Sequence, residues 1–289
     1  MLDNGKNASH YTYGVRKLNV TTKAANGVKF TTKGEQDDAG KIDASVAATM
    51  DCKKMGLTFT EKWSSSNAID IKAVAKNVGT DGVKVTVKGK FDEGAKAPIS
   101  GSVDASFAND LVAGSLEIKA DSGAQYCASE VNGNVSLGQS GFVGGVKGGY
   151  SLANGAKPVD VKLGYATNDF QATFLLNKNF TEFGVNYHQA VNDKLAVAAQ
   201  IDLKDAPKKD AAAAAGASSV PKIEVGAVYK CCKGTTYRVK VDSDGNLGTV
   251  YGQDISDNIS VAFAFGLDLG QALNSGAAGK AGFSLNFNA

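Results

Sequence analysis

The chain has 289 residues, of which 43% are hydrophobic and 21% are charged, a balance that excludes both a disordered protein and a bundle of membrane-spanning helices. No run of about 18 apolar residues occurs, so no transmembrane helix is predicted, and residues 1–10 lack the apolar stretch of a cleavable signal peptide. The formal net charge of +2 is too small to indicate a nucleic-acid partner.

The N-terminal residues 1–16 are mostly polar, and we expect them to form a short helix or a coil that is distinct from the rest of the chain. From Lys17 onwards, apolar and polar residues alternate. In residues 83–90, for example, Val83, Val85 and Val87 alternate with lysine and threonine. A period of two is typical of a strand with one apolar and one polar face.

This alternation continues to the end of the chain and predicts roughly nineteen strands of about 7 to 11 residues. The breaks between strands carry turn signals such as Asn154-Gly155 and Asp244-Gly245. One break is longer: residues 207–221 are rich in alanine and bounded by proline, which predicts a flexible hairpin loop inserted in the series. The clearest strand patterns are residues 17–23, 28–33, 56–63, 83–91, 112–119, 131–137, 159–165, 195–203, 237–242, 259–267 and 283–288.

So many consecutive strands must hide their edges, and closure into a barrel removes the edges altogether. A barrel of this many strands is too wide for side chains to fill. An apolar interior of that width would be an empty hole, whereas a polar interior can hold water. We therefore predict an all-β fold: a transmembrane β-barrel formed by residues 17–289, of about 19 strands, with the short N-terminal helical or coil segment in the pore.

On the inner face of the predicted barrel, basic side chains outnumber acidic ones, and the excess is largest in the first six strands. Such a wall favours anions, although only modestly, because screening acts over about 8 Å at physiological salt. The basic residues of the predicted wall are Lys17, Lys23, Lys29, Lys33, Lys84, Lys88, Lys90, Lys119, Lys162, Arg238 and Lys240. The acidic residues set against them are Asp43, Glu117, Asp160, Asp202, Glu224 and Asp242.

The segment 56–63, Gly-Leu-Thr-Phe-Thr-Glu-Lys-Trp, shows what the apolar face would present to lipid. Leu57, Phe59 and Trp63 share that face, and Trp63 is predicted to lie in the aromatic girdle at the membrane interface. Glu61 has the same parity. A carboxylate facing lipid is costly unless it lies near the interface, and its place two residues before Trp63 is compatible with such a position.

Neither cysteine nor histidine usage indicates catalysis or a metal site. The adjacent Cys231 and Cys232 are expected to point to opposite faces of a strand, which disfavours a bridge between them, and the other two cysteines, Cys52 and Cys127, are isolated. No disulfide framework, metal site or cofactor is predicted. With no Gly-x-Ser-x-Gly motif or Walker loop, and with His10 and His188 as the sole histidines, the sequence does not predict an enzyme.

Several segments together resemble the mitochondrial voltage-dependent anion channel family, also called the mitochondrial porins. The most recognisable is 56–63. The similarity continues, in the family's order, through residues 164–171, 181–184, 191–195 and 279–287. The resemblance therefore extends over nearly all of the chain beyond Lys17.

This resemblance implies a nineteen-stranded barrel in the mitochondrial outer membrane, in which an odd strand number makes the first strand, residues 17–23, and the last, residues 281–288, pair in parallel. The implied activity is voltage-dependent, anion-selective diffusion of ATP, ADP, phosphate and other small anionic metabolites, without a cofactor. The implied partners are the lipid bilayer, the permeant anions, and further copies of the chain or a larger membrane complex.

The resemblance also implies nucleotide contacts. Gly82 and Lys84 belong to a Gly-Val-Lys sequence where the family has Gly-Leu-Lys, and Lys6 resembles the basic residue of the family's N-terminal helix. The C-terminal positions that align with family contacts are Asn246, Leu247, Gly248, Ala264, Phe265, Gly266, Leu267 and Asp268. Each of these residues also fits an ordinary wall or turn position, since no phosphate-loop spacing accompanies them.

Two other functions stay open at this point. A porin-like structural subunit of a larger mitochondrial membrane assembly would account for the loop at 207–221. A protein-translocase barrel shares the fold, but the segment 56–63 favours the anion channel.

Overall fold

The computed structural model describes residues 16–37, 39–94, 98–122, 128–203, 221–232, 234–270, 272 and 279–288. Within these ranges lie nineteen strands of at least seven residues and one strand of two residues. The strands are β1 (Arg16–Lys23), β2 (Lys29–Gln36), β3 (Ile42–Cys52), β4 (Leu57–Ser64), β5 (Ala68–Lys76), β6 (Val83–Asp92), β7 (Ile99–Ala108), β8 (Val112–Asp121), β9 (Ala128–Gln139), β10 (Phe142–Ser151), β11 (Gly155–Ala156), β12 (Asp160–Ala166), β13 (Phe170–Asn177), β14 (Glu182–Ala190), β15 (Leu195–Leu203), β16 (Lys222–Lys230), β17 (Thr235–Asp242), β18 (Asn246–Ser256), β19 (Ile259–Asp268) and β20 (Gly279–Asn288).

All strands belong to one sheet that closes on itself. Each long strand pairs antiparallel with the next one along the chain, while β11 pairs only with the end of β10, so that β10 also pairs directly with β12. The sheet closes where β1 pairs in parallel with β20, with Leu18 opposite Leu285. The predicted all-β barrel and the parallel pairing of its first and last strands are both confirmed.

The register keeps each kind of side chain on its own face of the barrel. On β6 and β7, Val87 lies opposite Val103, and the next position along places Lys88 opposite Ser102. Because side chains alternate with a period of two, a slip of one residue would mix the faces throughout the pair. The alternation in the sequence therefore specifies the register as well as the strands.

Tight turns between the strands require glycine at particular positions. Gly82, just before β6, has a φ of +85°, and a Cβ there would lie 2.3 Å from the carbonyl oxygen of Ala108. No side chain fits so close to a backbone oxygen, and L-residues rarely adopt this φ. The hairpin geometry therefore explains Gly82 without any ligand.

Large apolar side chains lie on the outer face instead of forming a core. Leu57, Phe59 and Trp63 of β4 are all exposed. Among the described residues, the buried hydrophobic side chains are only Ala68 and Ala198. An ordinary soluble domain would bury most of its large aliphatic residues, so this distribution is that of a sheet whose apolar face is not covered by the chain itself.

Some sequence-based predictions concern residues outside the described ranges, and one is contradicted by the structure. The N-terminal segment 1–15, including Lys6, and most of the predicted loop, 204–220, lie outside the described residues. The prediction for Cys231 and Cys232 is wrong: β16 ends at Lys230, so both cysteines lie in the following hairpin turn and not on opposite faces of a strand. In the described ranges, no helix is long and apolar enough to cross a membrane.

Candidate functional site

The polar face of the sheet is the inner face of the barrel. Lys157, which follows β11, reaches past β10 to donate to Asn132 Oδ1 on β9 at 3.0 Å, and it also forms an ion pair with Glu130. Side chains on a curved sheet converge on its concave side and diverge on its convex side. Gly149 leaves room for this crossing, since a Cβ there would lie 2.6 Å from Asn132 Oδ1.

A recess of 1140 Å³ in this inner face lies against β5 to β10, of which β5 and β6 belong to the six strands where the sequence predicts the largest excess of basic residues. Residues of six neighbouring strands line it. The charged residues among them are Asp70, Lys72, Lys88, Lys90, Lys119, Asp121 and Glu130.

The structure places every basic residue of the predicted wall on the polar face. Lys17 and Lys23 lie on β1, Lys29 and Lys33 on β2, Lys84, Lys88 and Lys90 on β6, Lys119 on β8, Lys162 on β12, and Arg238 and Lys240 on β17. The registers bring some of them together as cross-strand neighbours, for example Lys23 and Lys29, and they leave Lys162 and Lys240 on distant strands.

Sequence reasoning missed a further set of charged residues on the same face. Every second residue of a strand faces inward, so the strand bounds and the register identify these residues. The sequence pattern alone is less clear where an apolar residue occupies an inward position, as Val74 does on β5. The additional basic residues are Lys76, Lys147, Lys222, Lys230 and Lys280; Lys62 and Lys72, which the parity of the sequence already assigns to the polar face, complete the set. The additional acidic residues are Glu35, Asp51, Asp70, Asp92, Asp104, Asp121, Glu130, Glu182, Asp254 and Asp268.

Ion pairs cancel part of this charge. On the β1–β6 side, Lys17 contacts Glu35 at 3.2 Å and Lys62 contacts Asp70 at 3.6 Å. On the far side, Lys222 is surrounded by Glu224, Asp242 and Asp244, the nearest oxygen being that of Asp244 at 3.0 Å. Exposed pairs of this kind contribute little to stability, but they decide where positive charge remains uncompensated.

Part of the uncompensated charge lies on β5 and β6, in four residues that we call the lysine patch: Lys72, Lys76, Lys84 and Lys88. Lys72 lies directly opposite Lys88, and Lys76 directly opposite Lys84. None of the four ammonium groups has an acidic partner among the residues that the structure describes. Like charges placed directly opposite each other destabilise a sheet, so the patch carries a cost that an anion would relieve.

The patch belongs to a wider imbalance across the first six strands, whose inner face carries twice as many basic as acidic residues. The basic residues are Lys17, Lys23, Lys29, Lys33, Lys62, Lys72, Lys76, Lys84, Lys88 and Lys90, and the acidic residues are Glu35, Asp43, Asp51, Asp70 and Asp92. On β12 to β20, acidic and basic residues of the inner face nearly balance. The positive potential is therefore one-sided.

The residues implicated in nucleotide contact do not form one cluster. Asn246, Gly248, Ala264, Gly266 and Asp268 share the inner face of the β18–β19 hairpin, where Asn246 lies opposite Asp268 and its amide donates to both carboxylate oxygens of Asp242 at 3.1 Å. The side chains of Leu247, Phe265 and Leu267 have the opposite parity and lie on the apolar face. Lys84 is far along the wall, with β5, β4, β3, β2, β1 and β20 between β6 and this hairpin.

Glu61 lies on the apolar face, at the middle of its strand. Its cross-strand neighbours are Ala48 on β3 and Ile71 on β5, both well inside their own strands. Its place two residues before Trp63 is thus not at the end of the strand. Trp63, one residue before the end of β4, shares the face and is exposed.

Comparison with known proteins agrees with this architecture. A family model described as eukaryotic porin matches residues 6–279. The voltage-dependent anion-selective channel of Drosophila melanogaster is 28% identical over 270 residues, covering 92% of this chain and 89% of that protein. The human non-selective voltage-gated ion channel VDAC1 is 26% identical over 281 residues, covering 96% and 93%.

Among solved structures, the copper transporter OprC aligns with a TM-score of 0.41 and 11% identity, over 89% of this chain and 69% of that chain. A similarity this distant supports no statement about function.

Proposed function

The chain belongs to the eukaryotic porin family, and from that premise we propose that it is a voltage-dependent, anion-selective channel. The family is one of membrane-embedded barrels that admit small solutes, which agrees with an apolar outer face and a charged inner face. Membership of a channel family also favours a non-enzymatic function. The membrane that we propose is the mitochondrial outer membrane.

The anion preference rests on one observation, the lysine patch. The similar proteins do not decide selectivity, because the Drosophila protein is named anion-selective and the human protein non-selective. In this chain, Lys72 and Lys76 oppose Lys88 and Lys84 without acidic partners in the described ranges. A wall that keeps uncompensated positive charge raises the local concentration of anions and lowers that of cations.

We propose ATP, ADP, phosphate and other small anionic metabolites as the permeants. Several charges on one solute respond more strongly to the same wall potential than a single charge does, so the nucleotides gain most. Of the residues implicated in nucleotide contact, Lys84 is the best candidate because it belongs to the lysine patch. On β18 and β19 the proposal is limited to residues of the inner face, since the side chains of Leu247, Phe265 and Leu267 point away from it.

The division of the chain that supports this function has two parts. We propose that residues 1–16, of which 1–15 lie outside the described residues, form a segment associated with the pore, where Lys6 would add a positive charge, and that residues 17–289 form the barrel, with a loop insertion near 207–221. The basic residues of the inner face line the pore, and Trp63 contributes to the membrane girdle. Association with further copies or with a larger membrane complex is compatible with the apolar outer face.

Reconstitution into a planar lipid bilayer tests the proposed function. We expect stepwise conductance, and in a potassium chloride gradient we expect a reversal potential of the sign that indicates chloride as the more permeant ion. Raising the salt concentration should weaken the preference, because screening shortens the reach of the wall charges. Empty vesicles treated in the same way provide the control.

Each outcome of this recording has a definite meaning. Preference for potassium would overturn the anion-selective channel. Absence of conductance from a correctly folded barrel would instead favour the structural-subunit function. Conductance that stays constant at high voltage of both signs would remove voltage dependence from the proposal and leave an ungated pore.

Charge placed on the outer face should destabilise the barrel far more than the same charge on the inner face. Val103 and Ser102 are adjacent on β7, and Val103 is exposed on the apolar face whereas Ser102 faces inward. For Val103→Lys we expect a loss of about 2–4 kcal/mol in the free energy of unfolding from lipid, if the position lies near the bilayer midplane. Ser102→Lys should cost clearly less.

Urea titration of both variants in lipid vesicles, followed by tryptophan fluorescence, measures this difference. The single tryptophan of the chain, Trp63, reports on the outer face. Equal costs for the two variants would contradict a lipid-covered outer face.

A further inference from the structure

The hairpin turn between β16 and β17 holds two adjacent cysteines whose sulfur atoms are in contact. The Sγ atoms of Cys231 and Cys232 are 3.2 Å apart, within hydrogen-bonding distance for thiols. Cys232 is exposed and Cys231 is partly exposed, and both are free thiols. The pair lies outside the strands and takes no part in the inner wall described above.

The backbone holds the turn that brings the two sulfurs together. The N–H of Cys231 donates to the carbonyl oxygen of Thr235 at 3.1 Å, and the N–H of Thr235 donates to the carbonyl oxygen of Cys232 at 3.0 Å. Gly234 has a φ of +78°, and a Cβ there would lie 2.9 Å from the Cβ of Asp254 on β18. The turn is thus anchored on both sides of the cysteine pair.

Two thiols at this distance are suited to a reaction that joins them. A tetrahedral zinc site would need further ligands, and the described residues contain no group of three or more histidine, cysteine or acidic side chains that could hold a metal ion. Oxidation to a disulfide needs nothing but the two sulfurs and an oxidant. Neighbouring Cα atoms are about 3.8 Å apart, less than the roughly 4.4 Å at which ordinary disulfides begin. A bond made there is strained and easily reduced, which is the property of labile and regulatory disulfides.

We propose that Cys231 and Cys232 form a thiol modification site that converts reversibly between a dithiol and a vicinal disulfide, with a peroxide as the oxidant. The thiolate of Cys232 attacks one peroxide oxygen, the O–O bond breaks, and the departing hydroxide leaves as water after taking up a proton. Cys232 becomes a sulfenic acid. The sulfur of Cys231 then attacks the sulfur of Cys232, the S–O bond breaks, and a second water leaves. In total, two thiols and one hydrogen peroxide give one disulfide and two waters.

The surroundings of the two sulfurs determine which of them reacts first with the peroxide. The hydrogen bond with Cys232 raises the pKa of the Cys231 thiol above its ordinary value, and desolvation raises it further. Cys231 therefore remains the protonated partner, while the more exposed Cys232 meets the oxidant. A low-molecular-weight dithiol reverses the reaction by exchange.

The site can be tested in a background that retains only this pair, with Cys52→Ser and Cys127→Ser. Refolded barrel is treated with hydrogen peroxide, free thiols are blocked with N-ethylmaleimide, and the intact mass is measured. We expect a monomer that is lighter by two hydrogen atoms and takes up no maleimide, and that takes up two maleimides after treatment with dithiothreitol.

Two matched variants add Cys231→Ser or Cys232→Ser to the same background. Each retains a single thiol, so neither can form the bridge, and we expect oxygen addition or a maleimide adduct in place of the loss of two hydrogens. Oxidation of the pair to the same products as the single-thiol variants, or into disulfide-linked dimers, would overturn the proposal.

A second measurement does not depend on the folding of any variant. The unsubstituted barrel, oxidised and digested without reduction, should yield a peptide containing both cysteines that is lighter by two hydrogen atoms. The same peptide carrying two maleimides after peroxide treatment would likewise contradict a vicinal disulfide.

Discussion

Replacing Lys72 and Lys88 together by glutamate is expected to lower the anion-to-cation permeability ratio of the channel by about two- to fivefold. A unit charge acting on an ion about 4 Å away in water changes its free energy by about 1 kcal/mol. This energy corresponds to about a fivefold change in the ratio and sets the upper end of that range. The two lysines lie directly opposite each other on β5 and β6 and have no acidic partner among the described residues. Their reversal therefore changes the wall potential where nothing compensates it.

The double variant is designed so that stability changes little. Lys72→Glu together with Lys88→Glu exchanges one like-charged pair for another, and the cross-strand repulsion is retained. Lys72→Glu alone creates an opposite-charge pair, so it should lower the permeability ratio less than the double variant does. This ordering separates a local electrostatic effect from a general disturbance of the barrel.

Reversal potentials in a potassium chloride gradient measure the ratio directly. The matched control is Lys53→Glu with Lys54→Glu, two exposed residues in the turn between β3 and β4 that change the net charge by the same amount. The control should leave the ratio nearly unchanged. If the control and the double reversal shift the ratio equally, net charge and not the lysine patch determines selectivity.

Leu285→Pro is expected to abolish the closed barrel, whereas Leu285→Ala should leave it folded. Leu285 pairs with Leu18 across the parallel seam between β1 and β20 and with Val261 on β19. Proline removes a backbone donor and is confined to strand edges in ordinary sheets, but a closed barrel has no edge to accommodate it. In lipid, an unpaired backbone group costs several kcal/mol.

Alanine at the same position separates the backbone effect from the side-chain effect, since it shortens an outward-facing side chain but keeps the N–H. Resistance of the folded barrel to sodium dodecyl sulfate at room temperature, together with far-ultraviolet circular dichroism, distinguishes the two variants. A Leu285→Pro protein that resists the detergent and conducts with the original unit conductance would show that the seam is dispensable.

The architecture was largely predictable because it depends on one periodicity and on the number of strands. Strands such as β6, with Val83, Val85 and Val87 against lysine and threonine, leave no doubt about which side chains share a face. The inference that the polar face is inside, opposite to a soluble barrel, followed from the width of a barrel with this many strands. Both arguments depend on local patterning, which the sequence contains in full.

The details of the wall were less predictable, because they depend on which strands lie side by side. Lys76 was missed since Val74 breaks the polar pattern of β5, and the opposition of Lys72 to Lys88 and of Lys76 to Lys84 appears only in the register. Cys231 and Cys232 were assigned to a strand because the left-handed backbone of Gly234, which forms the turn, leaves little trace in hydrophobic patterning. Alignment with a family likewise gave positions such as Phe265 without indicating the face of the sheet on which the side chain lies.

The parallel seam also bears on the order in which the barrel assembles. The amide of Asn19 donates to Asn286 Oδ1 at 2.7 Å, a contact between residues 267 positions apart, whereas each of the other long-strand pairings joins strands that follow each other along the chain. Closing a loop of that length costs about 3 kcal/mol more chain entropy than closing a hairpin of roughly ten residues. This cost favours formation of the hairpin pairings before the seam, and a sheet without the seam has two unpaired edges. A chain that assembles in this order passes through a state that can add a foreign strand at either edge, so those edges need a protection that the finished barrel does not.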